Sequence, residues 1–317
     1  MRVNVICQGF IEKEEKMFDI SNAGLKKGCL DGEVAVITGS TSNVGKGFAQ
    51  AITWAGGKVV IVGRGKERGM AVVDEINADC GEGTAIFVQA DVSNAEDVAK
   101  LKEEAYAAFG KVDILINNAM DMSLNYSILE SPVEDLDRAY GISARAFMLT
   151  AHAFVPDMIK RGHGTVTFST TQFHYIPGML GGSVYTAAKA AATSECMSLS
   201  NEVRDTGVHV FCFQPAGVGP VRPNSVKVVT EEMKKMRMPG FNGMVTPDAS
   251  GAAMVWMILH GEEMHGTGVM VSDVLKAMKY PFPCPETLVD HHRQYTAECP
   301  LTLMFGYMIH GFPENES

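Results

Sequence analysis

The sequence has no apolar run approaching the roughly 20 residues that a membrane-spanning helix needs, so no spanning segment is expected. It has no CxxC pair. Its seven cysteines, at positions 7, 29, 80, 196, 212, 284 and 299, are odd in number and scattered. That excludes a regular disulfide framework and fits free thiols in a reducing compartment. Positive charge is in deficit: the formal net charge is -10. Nucleic acid and anionic membrane surfaces are therefore not expected partners, although a local basic pocket for a phosphate is still allowed. The first residues lack an apolar stretch long enough for a signal peptide, and an acidic cluster follows them. The expectation is a soluble, cytoplasmic protein. Asp290, His291, His292 and Cys299 match no metal-ligand spacing, so no metal is expected.

What is present is enough for a sizeable core. Hydrophobic residues make up 46% of the 317 and charged residues 20%. The 20 methionines read as a composition bias ahead of an adaptable pocket lining. Valine- and isoleucine-rich runs recur at 33–38, 58–63, 84–89, 112–117, 164–169, 208–213 and 268–273. Segments with helical spacing, such as 94–109, lie between them. Alternating strand and helix predicts a parallel sheet covered on both faces, a doubly wound α/β fold. We expect it as a single domain over about 33–275, with an N-terminal extension at 1–32. A C-terminal extension at 276–317 is expected to pack on the domain or on a partner subunit.

The stretch "VITGSTSNVGKG" (36–47) follows the first run and enters a helix. Free N–H groups at a helix start favour a pyrophosphate, and glycines serve where the backbone must turn or be touched. Gly39, Gly45 and Gly47 are in place. Asn43 sits where a further glycine is expected, and asparagine is the residue that best tolerates a left-handed conformation there. After the second run, nucleotide-binding sheets that take NAD place a carboxylate for the ribose 2′-hydroxyl. Here "VGRGKER" offers Gly63 at that point, then Arg64, Lys66 and Arg68. The cations and the missing carboxylate suit a 2′-phosphate, so NADP is expected ahead of NAD. In "VYTAAKAA" (184–191), Tyr185 and Lys189 are four apart and share a helix face. An ammonium beside a phenol is expected to lower its pKa from about 10, making it a general acid or base.

Together these stretches resemble the short-chain dehydrogenase/reductase family. The resemblance runs over about 30–275 and includes "TGSTSNVG" (38–45), "ADVS" (90–93), "NNA" (117–119), "GTVTFSTT" (164–171), "YTAAK" (185–189) and "PAGVGP" (215–220). It implies a Rossmann-type, seven-stranded sheet. It also implies hydride transfer between a nicotinamide and a carbonyl or alcohol of a small molecule, commonly by a homodimer or homotetramer. Tyr185 would be the acid/base, and Lys189 would tune it and hold the nicotinamide ribose. A hydroxyl at the end of the fifth strand would polarise the reacting oxygen.

Counted along the strand, that hydroxyl is Thr171, with Thr170 and Ser169 as alternatives. Counted back from Tyr185, the position falls on Gln172. Ser143 stands where the family has an asparagine that supports a proton-relay water. The resemblance places the cofactor against Gly39, Thr41, Ser42, Asn43, Val44, Gly45, Arg64, Asp91, Val92, Asn118 and Ala119. On the far side it would meet Tyr185, Lys189, Pro215, Gly217 and Val218. Asn117 is placed near the adenosine ribose and the central strand. Met120 replaces a glycine beside the cofactor, and Pro220 replaces a threonine. With Gln172, His174, Tyr175, Met179 and Leu180, Met120 suggests an apolar, partly aromatic substrate pocket for a cyclic or aromatic ketone or alcohol. The alternative is a catalytically weak NADP-binding sensor or scaffold of the same fold.

Overall fold

Seven short strands pair side by side in one parallel sheet. The computed structural model describes residues 18–121, 128–129, 131–171, 183–215 and 247–279. The strands are β1 (Val34–Thr38), β2 (Lys58–Gly63), β3 (Ala85–Gln89), β4 (Ile114–Asn117), β5 (Gly164–Ser169), β6 (Val208–Gln214) and β7 (Gly268–Met270). Their order is β3-β2-β1-β4-β5-β6-β7, and every neighbouring pair is parallel. The chain starts at the centre of the sheet, winds outward through β3, then returns past β1 to build the other half. This is a doubly wound Rossmann-type α/β fold.

Side chains alternate across each strand, so each strand serves two cores. Ala35 and Ile37 of β1 join the core that holds α1 (Asn43–Trp54), α2 (Lys66–Cys80) and α7 (Pro247–Leu259). Val34 and Val36 join the opposite core, with α3 (Ala95–Phe109), α5 (Ala146–Arg161) and α6 (Ser183–Glu202). Burial on both faces is why β1 reads as an unbroken apolar run. Helix α3 begins at a side-chain cap: Asn94 Oδ1 accepts from the Glu96 and Asp97 amides. A short helix α4 (Val133–Tyr140) leads into α5 through five residues, Gly141–Arg145, that widen into a π turn. After α7 come the single-turn α8 (Gly261–Met264) and, beyond β7, α9 (Val271–Ala277).

The seventh apolar run, expected as strand over 268–273, ends at Met270. Strand β6 offers Cys212–Gln214 as partners for Gly268–Met270 and ends there. With no ladder to continue, Val271, Val274 and Leu275 bury themselves at helical spacing instead. At the other end, residues 18–32 are tied to the sheet's underside. Ile20 and Leu30 are buried in the core, and the Leu30 amide donates to the Ala55 carbonyl at 2.8 Å.

Helices α1 and α7 cross with their backbones in contact. A Cβ on Gly47 would lie 2.4 Å from the Pro247 carbonyl oxygen, and one on Gly251 would lie 2.5 Å from the Gly47 oxygen. Because the obstruction is backbone, the helices must separate to admit a methyl. Gly251→Ala is therefore expected to destabilise the fold by about 2 kcal/mol. In thermal unfolding that is a fall in Tm of about 4–8 °C. An unchanged Tm would show that the crossing is not close-packed.

Candidate active site

The site is built at the carboxyl ends of the strands, where the chain leaves β1 and β4 on opposite sides of the order reversal. Thr38, the last residue of β1, joins them. Its Oγ1 accepts from the Asn118 amide (2.9 Å) and the Ala119 amide (3.1 Å). The Asn118 side-chain amide returns the link, donating to the carbonyls of Thr38 and Gly39. Gly39 then turns with φ 66°, and a Cβ there would meet Ala119 Cα at 2.7 Å. Asn43 adopts φ 46° at the start of α1, the left-handed conformation expected of it. Ser42 supplies no side-chain cap among the described residues, so the first amides of α1 are left for another acceptor. Val44 is half-buried against the core, and Gly45 is buried below the turn.

Beside this turn lies a cleft of about 220 Å³. Gly39, Thr41, Ser42, Ala119 and Met120 are among the residues that line it. Gly63, Arg64, Arg68, Asp91 and Val92 also line it. The cleft fits the adenosine and pyrophosphate part of a dinucleotide: glycine backbone to approach, helix amides for the diphosphate, and cations at the ribose end. Gly63 has a steric reason as well. A Cβ there would stand 2.7 Å from Thr41 Cγ2, so an acidic side chain at 63 has no room beside this threonine. Asn118 does not line the cleft, because its amide is spent on the β1 turn. Asn117, expected near the ribose, is buried against α5, where its Oδ1 accepts from Thr150 Oγ1 at 2.7 Å.

Past the end of β5, three hydroxyls separate by environment. Ser169 Oγ is buried with no hydrogen-bond partner among the described residues. Thr170 Oγ1 pairs with Thr193 Oγ1 on α6. Thr171 is hydrogen-bonded to the phenol of Tyr185. Of the three, the geometry puts Thr171 beside the tyrosine. One turn further along α6, Lys189 is 3% exposed, and its Nζ donates to the Ser169 carbonyl at 2.5 Å. The ammonium also sits over the rings of Phe168 (4.6 Å) and Tyr185 (5.9 Å). Burial holds the Lys189 pKa down to about 7.

The phenol runs against expectation. Burial pushes the Tyr185 pKa up, opposed by the Thr171 hydrogen bond. The lysine does not reverse this, because its proton points at the Ser169 carbonyl and burial favours its neutral form. Ser143 lies buried in the π turn and donates to Met120 Sδ at 3.4 Å. Two of the departures from the family pattern therefore touch each other. Pro215 follows β6 directly. Gln172, His174, Tyr175, Met179, Leu180, Gly217, Val218 and Pro220 lie outside the described residues.

A family model described as short chain dehydrogenase matches residues 33–229. The chain belongs to the short-chain dehydrogenase/reductase family. It is 33% identical over 190 residues to the (21S)-21-acetoxyl-apo-melianone synthase SDR of Melia azedarach, covering 60% of this chain and 68% of the other. It is 31% identical over 192 residues to tropinone reductase-like 1 of Erythroxylum coca, covering 60% and 68%. Among solved structures it resembles the 3-ketoacyl-(acyl-carrier-protein) reductase of Brucella melitensis, complexed with NADH. The TM-score is 0.67 and the identity 27%, over 76% of this chain and 97% of that one. A short chain dehydrogenase of Burkholderia cenocepacia in complex with NADP gives a TM-score of 0.66 at 25% identity, over 76% and 97%. As a short-chain dehydrogenase/reductase, the protein is an NAD(P)-dependent oxidoreductase. Among the described residues, no helix is long and apolar enough to cross a membrane.

Two features of this short-chain dehydrogenase/reductase escaped the sequence reading. Thr38 was quoted as part of a motif, but its role as the β1–β4 tie needs the sheet order to be known. Asp121, which reaches both Arg64 and Arg138, carries no motif at all.

The buried lysine has a consequence for stability. Its folded-state pKa of about 7 lies below the ordinary 10.5. Between those values the unfolded chain holds a proton that the folded chain has lost, so the Lys189 contribution makes stability rise with pH across that window. Urea melts of the protein and of Lys189→Met should diverge by up to about 1.4 kcal/mol per pH unit between pH 7 and 10. Parallel pH profiles would mean that the ammonium is not desolvated.

Proposed function

We propose that the protein is an NADP-dependent oxidoreductase acting on the carbonyl or secondary alcohol of an apolar small molecule, of cyclic or aromatic type, with Tyr185, Thr171 and Lys189 as its working groups. The observation that carries the reading is the Thr171 hydroxyl hydrogen-bonded to the Tyr185 phenol, one helical turn from a buried lysine. When bound, the nicotinamide cofactor supplies or takes up a hydride at the carbon of the reacting C–O group. In reduction, the Tyr185 hydroxyl gives its proton to the oxygen; in oxidation, the phenolate takes it back. Thr171 donates a second hydrogen bond to the same oxygen, so charge building there meets two fixed donors. Lys189, whose Nζ lies 5.9 Å from the centre of the Tyr185 ring, would stabilise the phenolate in its protonated form, which burial confines to pH values up to about 7. The raised pKa of the free phenol suits a group that holds its proton until an oxygen arrives.

The preference for NADP rests on Arg64 and Arg68 at the ribose end, and on the steric exclusion of an acidic side chain at Gly63. Gly39, Thr41, Ser42 and the start of α1 would hold the diphosphate. Asp91, Val92 and Ala119 would border the adenosine, as the resemblance implies. The apolar substrate class rests on Met120, which packs against Ala139, Val184 and Ala188. We place the active enzyme in the cytoplasm as a homodimer or homotetramer.

Loss of NADPH absorbance at 340 nm against a panel of cyclic and aromatic ketones tests the activity. Tyr185→Phe is expected to lower kcat by at least about 10²-fold, with NADPH affinity kept. NADPH binding without oxidation across a broad panel, unchanged by Tyr185→Phe, would favour the sensor reading instead. For cofactor choice, Arg64→Ala is expected to weaken NADPH by about 10-fold or more while changing NADH little, the loss of one charge-assisted contact. Equal losses for both cofactors would refute the 2′-phosphate role.

A further inference from the structure

The cation expected to meet the 2′-phosphate already has a carboxylate partner. Arg64 extends from the end of β2, with its side chain 61% exposed. One of its terminal nitrogens lies 3.7 Å from Asp121 Oδ2. Asp121 follows Met120 in the lining of the same cleft, and its side chain is 14% exposed. The same carboxylate oxygen accepts from Arg138 of α4 at 3.3 Å. Arg138 in turn donates to Asp135 at 3.2 Å, which fixes it on its own helix. A chain of charges, Arg64–Asp121–Arg138, thus crosses the cleft from the β2 end to α4.

We infer that Asp121 is a cofactor-specificity residue: it competes with the 2′-phosphate for Arg64, and the competition is set by how firmly Arg138 holds it. The inference rests on the reading of Arg64 as the 2′-phosphate contact. Asp121 and a 2′-phosphate are both anions drawn to the same guanidinium, so attraction to Asp121 offsets part of the pull on the phosphate. A cofactor without that phosphate gives Arg64 no replacement partner and leaves the ion pair closed. A cofactor with it exchanges one charge-assisted contact for another. Arg138 makes the exchange easier, because Asp121 keeps a cation when Arg64 leaves. A solvent-exposed ion pair is weak by itself, so the effect belongs in the several-fold range rather than the thousand-fold range.

The test uses the full-length protein and titration calorimetry with NADPH, NADH and the fragments 2′,5′-ADP and AMP. Asp121→Asn keeps the shape and removes the charge. It is expected to tighten NADPH and 2′,5′-ADP by about 3–10-fold while leaving NADH and AMP within about twofold, the scale of one exposed ion pair. In the Arg64→Ala background, the same substitution should no longer help NADPH. Arg138→Gln should act in the opposite direction, weakening NADPH and 2′,5′-ADP several-fold, because Asp121 then has Arg64 as its remaining cation of the two. This second variant keeps the test open if Asp121→Asn folds poorly. An equal change for NADPH and NADH, no change, or a gain that survives removal of Arg64 would overturn the role of Asp121. A non-selective loss in Arg64→Ala alone would instead overturn the reading on which the inference rests.

Discussion

The hydrogen bond from Lys189 to the Ser169 carbonyl is the contact on which the site depends. It fastens α6 to the end of β5, and so fixes where Tyr185 stands relative to Thr171. Burying an ammonium in this way is costly, and burial holds its pKa to about 7. A core would be more stable with an apolar residue there. The same helix secures itself a second time through Thr170 and Thr193, and Thr193 also donates to the Lys189 carbonyl. Strand end and helix are thereby joined through both backbone and side-chain atoms, and Tyr185 and Lys189 are held by packed elements on both sides.

Sheet topology then places this pair on the same edge of the sheet as the turn after β1. Strand β1 lies between β2 and β4, and β4 lies beside β5. The turn after β1 and the start of the tyrosine helix therefore lie at the same, carboxyl-terminal edge of the sheet, although they are far apart in sequence. Thr38 ties β1 to the two residues after β4. The glycine at 39 follows from that closeness, since Ala119 occupies the space a side chain would take.

Much of this was legible in the residues. The sheet, its parallel sense and the helix under Tyr185 follow from run length and spacing. Asn43 could be read as left-handed because few other residues tolerate that conformation. Thr171 was separable from Ser169 and Thr170 only by counting along the strand, and it is the one the structure sets against Tyr185. Other features were not legible, for physical reasons. The end of β7 depends on where its neighbour β6 stops, which is a property of pairing and not of local composition. The upward shift of the Tyr185 phenol depends on how deeply it is enclosed and on where the lysine proton points, neither of which a four-residue spacing records. The inward turn of Asn117 toward Thr150 was hidden for the same reason: strand alternation decides the face, and a motif does not.

The departures from the family pattern make sense as a pair. A glycine position filled by Met120 and an asparagine position filled by Ser143 look, in sequence, like two separate losses. In the fold they meet, the buried serine hydroxyl donating to the thioether sulfur. A buried hydroxyl without a partner would cost about 1–3 kcal/mol. A weak acceptor such as the methionine sulfur recovers part of that. The methionine chain, packed against Ala139, Val184 and Ala188, fills the volume between the π turn and α6. Serine at 143 without Met120 would leave a void and an unpaired hydroxyl, whereas Met120 against the larger asparagine would crowd the same space. Together they rebuild one wall of the crevice without disturbing Tyr185, which argues for a repacked catalytic neighbourhood and against an eroded one.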